Sequence, residues 1–194
     1  MALLSLAPRN RCPAVQPRSA PRLWSALLVA TMTILPQGGG AQAVSEPALK
    51  AAFLLNFAKF TQWPMNARGA TAPLVLCSAD EAVAPALART VAGQTIEQHP
   101  VSASRVTLDG SLRECALLYV GKLDPRKIAK LADALRGAAV LTVGDEQAFA
   151  SAGGMIGLFV EDGRMRFAVN IGAAERGGVR LSAKLLSLAR IVKD

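Results

Sequence analysis

The chain has 194 residues, enough for one ordinary domain with an extension. It is 52% hydrophobic and only 19% charged, which excludes a disordered chain, because so apolar a sequence can bury a core. The formal charge is +8, yet residues 1–43 hold four arginines and no acid; the remaining 18 basic against 14 acidic residues are too mild an excess for a nucleic-acid-binding domain.

Residues 1–43 follow an export pattern. Arg9, Arg11, Arg18 and Arg22 precede the apolar run Leu23–Leu35, and Ala41-Gln42-Ala43 is a small-x-small site suited to cleavage between Ala43 and Val44. Thirteen helical residues span only about 20 Å, short of the roughly 30 Å hydrocarbon core, so a cleaved signal is favoured over an anchor. No cysteine follows the cleavage site, which argues against a lipoprotein. The expectation is a signal at 1–43 and one exported, periplasmic α/β domain at 44–194.

Ser45-Glu46-Pro47 opens a helix, with Ser45 as N-cap and proline in the first turn. Ala51, Leu54, Leu55 and Ala58, beside Phe53, Phe57 and Phe60, make a broad apolar face at helical spacing. Trp63-Pro64 requires the helix to end near Thr61. Pro73–Cys77 reads as a short apolar strand, and Ser78-Ala79-Asp80-Glu81 has capping-box spacing for a second helix, against which Pro85 counts. Thr95–Val101 reads as a strand broken at Pro100.

Cys115–Val120 is a further buried strand. Asp124 caps a helix with Pro125 in first position, running through Ile128, Leu131 and Leu135 to Gly137. Ala139–Val143 is a third apolar strand, after which Asp145 caps a short helix to about Ser151. Met155–Val160 and Met165–Asn170 flank Glu161-Asp162-Gly163-Arg164, a hairpin with an Asp-Gly turn. Arg176-Gly177-Gly178 reads as a helix stop. Leu181, Leu185, Leu188 and Val192 lie on one face of a C-terminal helix with Ser182 as its cap. Strands alternating with helices indicate a single domain with a mostly parallel sheet covered by helices, plus a late antiparallel hairpin.

Cys12 falls in the signal, leaving Cys77 and Cys115. Two cysteines in an oxidising compartment are most simply a disulfide, the alternative being two separate buried thiols. The loop such a bond closes corresponds to about 4 kcal/mol in the chain-entropy account. No CxxC redox motif is present.

Catalytic constellations are sparse. His99 is the single histidine, without a Gly-x-Ser-x-Gly partner, and cannot form a zinc site with oxidised cysteines. Gly153-Gly154-Met155-Ile156-Gly157 lacks the Lys-Ser/Thr of a phosphate loop and precedes a strand, so it reads as close backbone packing. Asp145, Glu146, Glu161 and Asp162 pair up only at a cap or turn. Lys122, Arg126, Lys127 and Lys130 form a basic helix face without stacking aromatics. No catalytic residue, metal ligand or cofactor site is assigned, and nucleic acid is not an expected partner.

Read in order, several segments resemble the YfiR-like family of periplasmic regulators. They are Leu49–Pro64 with its Trp63-Pro64 stop; Leu76-Cys77 and Cys115; Val140–Asp145 with Phe149; Gly153–Gly157; Arg166–Asn170; and Leu181–Arg190. The resemblance covers essentially all of residues 48–192. It implies a non-catalytic repressor that binds the periplasmic sensor domain of an inner-membrane diguanylate cyclase and lowers cyclic-di-GMP. It further implies sequestration by an outer-membrane lipoprotein, an influence on biofilm growth, a possible homodimer and a Cys77–Cys115 bond. A stand-alone periplasmic small-molecule-binding protein, with its ligand in a crevice at the strand ends, is the alternative. A repressor needs exposed apolar surface, for which Phe57, Phe60, Trp63, Met155 and Ile156 are the candidates.

Overall fold

The computed structural model describes residues 44–64 and 72–193; the expected signal, Ala43 included, lies outside them. Among the described residues, no helix is long and apolar enough to cross a membrane. Helix α1 (Glu46–Lys59) buries Ala51, Leu54, Leu55, Phe57 and Ala58, the spacing read from the sequence. Ser45 occupies the N-cap in extended conformation, but its side chain makes no capping bond, so the start rests on Glu46 and the first-turn proline. The Thr61 hydroxyl donates to the Phe57 carbonyl at 2.7 Å as the helix ends. The chain then enters β1 (Thr61–Gln62), which pairs antiparallel with β9 (Arg180–Leu181).

The main sheet contains β2 (Leu74–Ser78), β3 (Thr95–Ile96), β4 (His99–Arg105), β5 (Leu117–Tyr119), β6 (Leu141–Asp145), β7 (Ile156–Glu161), β8 (Arg164–Asn170) and β10 (Arg190–Val192). Their order is β10-β8-β7-β6-β5-β2-β4-β3. Strands β4, β2, β5, β6 and β7 run parallel, β8 turns back antiparallel to β7, and β10 lies parallel to β8. The sheet thus has the expected mostly parallel character with one late hairpin. Asp162 and Gly163 both take positive φ at its turn, as a two-residue turn of this type requires.

Helices cover both faces. Leu76, Leu117, Tyr119, Leu141, Val143 and Leu158 pack in one core with α1 and with α2 (Val83–Val91). Cys77, Leu118, Val120, Val140 and Phe149 pack in a second core with Ile128 and Leu135. These last belong to α3 (Pro125–Ala134) and its C-cap. Adjacent residues such as Leu117 and Leu118 fall in different cores, because successive strand side chains point to opposite faces. Phe149, on α4 (Gln147–Ser151), lies against Gly144 and Gly154, where any side-chain carbon would meet its ring. The glycine-rich segment is therefore a close-packing device.

Four local readings need correction. Helix α2 starts at Val83, where the Asp80 carboxylate accepts from the Ala82 and Val83 amides; Ser78 ends β2 instead of capping the helix. Thr95–Val101 is not one broken strand but part of a hairpin: Glu97 and Gln98, both at positive φ, turn β3 into β4, and Pro100 lies within β4. Asp145 does not cap α4; it ends β6, and Glu146 at φ 69° precedes the helix without a side-chain cap. The C-terminal segment is not one helix. After α5 (Ile171–Gly177), stopped by Gly178 in the left-handed region, come β9, the single turn α6 (Ala183–Leu186) and β10. Ser182 does cap that turn, accepting from the Leu185 amide at 3.3 Å. Pairing of Arg190–Val192 with β8 overrides the helical spacing of Leu188 and Val192.

Candidate interaction surface

The topological switch point of the sheet, where ligands sit in many open α/β folds, lies at the C-terminal ends of β2 and β5, because the chain leaves β2 towards β4 on one side and leaves β5 towards β6 on the other. A part-buried polar cluster stands beside it. The Lys50 ammonium on α1 lies 2.9 Å from Asp145 Oδ2 and 2.8 Å from Glu46 Oε1, and the Tyr119 hydroxyl donates to Asp145 Oδ1 at 2.7 Å. The ammonium also stands 5.9 Å from the Tyr119 ring centroid, within cation–π range. Burial disfavours the charge on Lys50, but the bonds to Glu46 and Asp145 outweigh it and hold its pKa well above the usual lysine value. Burial, reinforced by the bond to Asp145, pushes the Tyr119 phenol well above its ordinary value. Both groups therefore stay protonated near neutrality, and their geometry fastens α1 to β5 and β6.

The five residues expected to present apolar surface separate into two groups. Phe57, Met155 and Ile156 are core residues, at 1%, 4% and 0% exposure, so they cannot offer the surface expected of them. Phe57 packs edge-on against Phe167 with ring centroids 5.0 Å apart, and Ile156 lies in a central strand with both neighbours in place. Phe60 and Trp63 are half-buried. Lys184 covers the Phe60 ring at 5.4 Å, and the Trp63 indole donates to the Ala116 carbonyl at 3.2 Å. Trp63 also lines a hollow of about 580 Å³ with Pro64, Gly178 and Arg180, where β1 meets β9.

Exposed apolar residues gather elsewhere, at the β7–β8–β10 end of the sheet. Val160 is 65% and Leu188 68% exposed, and Ile191 on β10 is exposed as well. Register places Val160 opposite Met165, while Arg190 pairs with Ala168, so Leu188 lies level with the β7–β8 hairpin. Leu188 lines a shallow hollow of about 280 Å³ together with Phe159, Glu161, Arg166 and Phe167. Arg190 spans it, 5.1 Å from the Phe159 ring and bonded to Glu161 at 2.6 Å and Gln147 at 2.8 Å. The sequence pattern misses this surface because it reads Leu188 as one position on the apolar face of a C-terminal helix, and α6 ends at Leu186. The apolar Phe159-Val160 directly before the Glu161–Arg164 turn is the available signal.

The remaining motifs serve the fold. Cys77 and Cys115 form a disulfide, Cα atoms 5.8 Å apart, joining β2 to the segment before β5. His99 Nδ1 lies 2.8 Å from the Ala72 carbonyl, tying the start of β4 to the entry of β2. Within the basic face, Lys122 pairs with Glu146, and Lys127 stands 3.5 Å from Asp124.

No curated protein matches the chain. A family model described as YfiR/HmsC-like matches residues 47–190, a span from the first turn of α1 into β10 that takes in both cores, the disulfide and the exposed end of the sheet. So long a match, over well above half of the sequence, makes this chain a member of the YfiR/HmsC-like family.

Proposed function

We propose that the protein is a non-catalytic periplasmic regulator that binds the sensor domain of a membrane-bound diguanylate cyclase and holds it inactive, lowering cyclic-di-GMP. The family match over residues 47–190 carries this reading, since the family is known for periplasmic regulation of such cyclases. The exposed apolar side chains Val160, Leu188 and Ile191 at one end of the sheet support it, because exposed apolar surface on an exported domain is the feature a protein partner covers. Strand β10 adds to this, with one edge paired to β8 and no further strand beyond it among the described residues. In this reading an outer-membrane lipoprotein competes for the protein and releases the cyclase. The mature domain begins at Val44 after removal of residues 1–43.

The test is capture of the intact membrane cyclase by the tagged protein, with cyclic-di-GMP measured in the same cells. Val160→Asp combined with Leu188→Asp is expected to abolish capture and raise cyclic-di-GMP as deletion does, while the melting temperature stays near that of the wild type. Unchanged cyclic-di-GMP on deletion overturns the proposal.

A further inference from the structure

We propose that the groove between the 106–116 segment and α3 is a binding site for a small anionic amphiphile, an apolar chain ending in a carboxylate or phosphate. The groove has a volume of about 450 Å³, within the range of roughly 300–1,000 Å³ typical of small-molecule sites. Its floor is apolar: Leu112 and Leu135 are core residues beside the disulfide, and Leu123 and Leu131 pack against that core. Leu108, exposed, stands at the mouth. Every charged residue lining the groove is a cation: Arg113, Lys127 and Lys130.

The arrangement selects both ends of such a ligand. The walls are fixed before anything binds. Cys115 is bonded to Cys77 of β2, and the Arg113 guanidinium donates to the Ala134 carbonyl at 2.8 Å, linking the segment to the end of α3. Lys127 has only a 3.5 Å contact with Asp124, and Lys130 meets no acceptor among the described residues, so two ammonium groups can turn to a headgroup. A neutral apolar ligand would leave these charges unused, and a nucleotide would find no aromatic ring on which to stack. An acyl chain over the leucines, with its anion between Lys127 and Lys130, satisfies both halves of the groove. This inference is independent of the regulatory reading, because the groove lies on the face of the sheet covered by α3 and away from Val160 and Leu188.

Isothermal titration of the full chain with dodecanoate, below its micelle concentration, tests the proposal. Dodecanoate is expected to bind, and dodecyltrimethylammonium, with the same tail and opposite charge, is not. The Lys127→Glu/Lys130→Glu double variant, altered at two exposed positions, is expected to weaken dodecanoate by about tenfold or more, as loss of charge-assisted contacts requires. Lys122→Glu, outside the groove, should bind as the wild type does. A parallel titration with lysophosphatidylglycerol separates the sources: binding of dodecanoate alone assigns the site to free fatty acids, and binding of both assigns it to anionic lipids generally. Absence of binding by either anion, equal binding of the cationic analogue, or full affinity in the double variant overturns the proposal.

Discussion

Phe149 shows how far one ring can dictate its surroundings. It fills the space beside Gly144 and Gly154, so a methyl group at either position must displace the ring or the strand. Gly154→Ala is expected to lower stability by about 1–3 kcal/mol, the usual cost of overpacking, as measured by chemical denaturation. Combining it with Phe149→Leu should recover part of the loss. The Lys50–Asp145–Tyr119 cluster makes a different demand. Both Lys50 and Tyr119 bind their protons more tightly in the folded state, so their contribution is complete below the unfolded pKa values of about 10 and is lost as pH rises through the higher folded values. Stability should therefore stay level through neutral pH and fall above about pH 10. Tyr119→Phe, which leaves Asp145 without its hydroxyl partner, should lower stability at pH 7 by about 1–2 kcal/mol and make the alkaline fall shallower. A denaturant series across pH 7–11 checks both expectations.

At the scale of elements, caps and turns explain where the pattern was readable. Asp124-Pro125 and Asp162-Gly163 carry local chemistry strong enough to specify a helix start and a hairpin on their own, and both lie where the sequence places them. Asp145 failed for the complementary reason: an acid ahead of a short helix has the same local appearance whether it caps the helix or bonds a lysine 95 residues away. The C-terminal helix failed because a leucine repeat cannot reveal that a neighbouring strand offers an open edge. Of the interaction surface, the half-buried Phe60 and Trp63 were legible as aromatic residues but not as occupied ones, since Lys184 and the Ala116 carbonyl come from distant elements. The Asn170 side chain joins two such elements: it accepts from the Ala173 amide at 2.8 Å to start α5 and donates to the Ala150 carbonyl at 3.0 Å at α4. Asn170→Ala should cost about 2 kcal/mol, because a helix cap and a buried partner are lost together. Asn170→Asp keeps the cap acceptor but sets a buried carboxylate against the Ala150 carbonyl, and should cost at least as much as Asn170→Ala in a thermal melt.

For the molecule as a whole, the disulfide is the only covalent tie among the described residues between chain-distant segments. It lies inside the second core, among Leu112, Leu118 and Leu135, so its loss both frees the unfolded chain and loosens packing. Replacement of both cysteines by serine should lower stability by about 2–4 kcal/mol under oxidising conditions, and a reductant should then change the melting temperature of the wild type but not of the variant. The Val160–Leu188–Ile191 surface lies on the opposite flank of the sheet order from β3 and β4, so such a variant that remains folded retains the exposed group.

Helix α1 draws its partners from both halves of the chain. It packs on α2, the next helix in the chain, but its Phe53 and Phe57 rings close against Phe167 and its Lys50 against Asp145, so these long-range contacts exist only once more than half of the remaining chain has emerged. Through that interval α2 covers only part of the helix and the aromatic face waits for β8, and long-range closure of this kind is slow. Any fragment ending before β8 leaves the Phe53 and Phe57 rings without Phe167 and their apolar edge open to association with other chains.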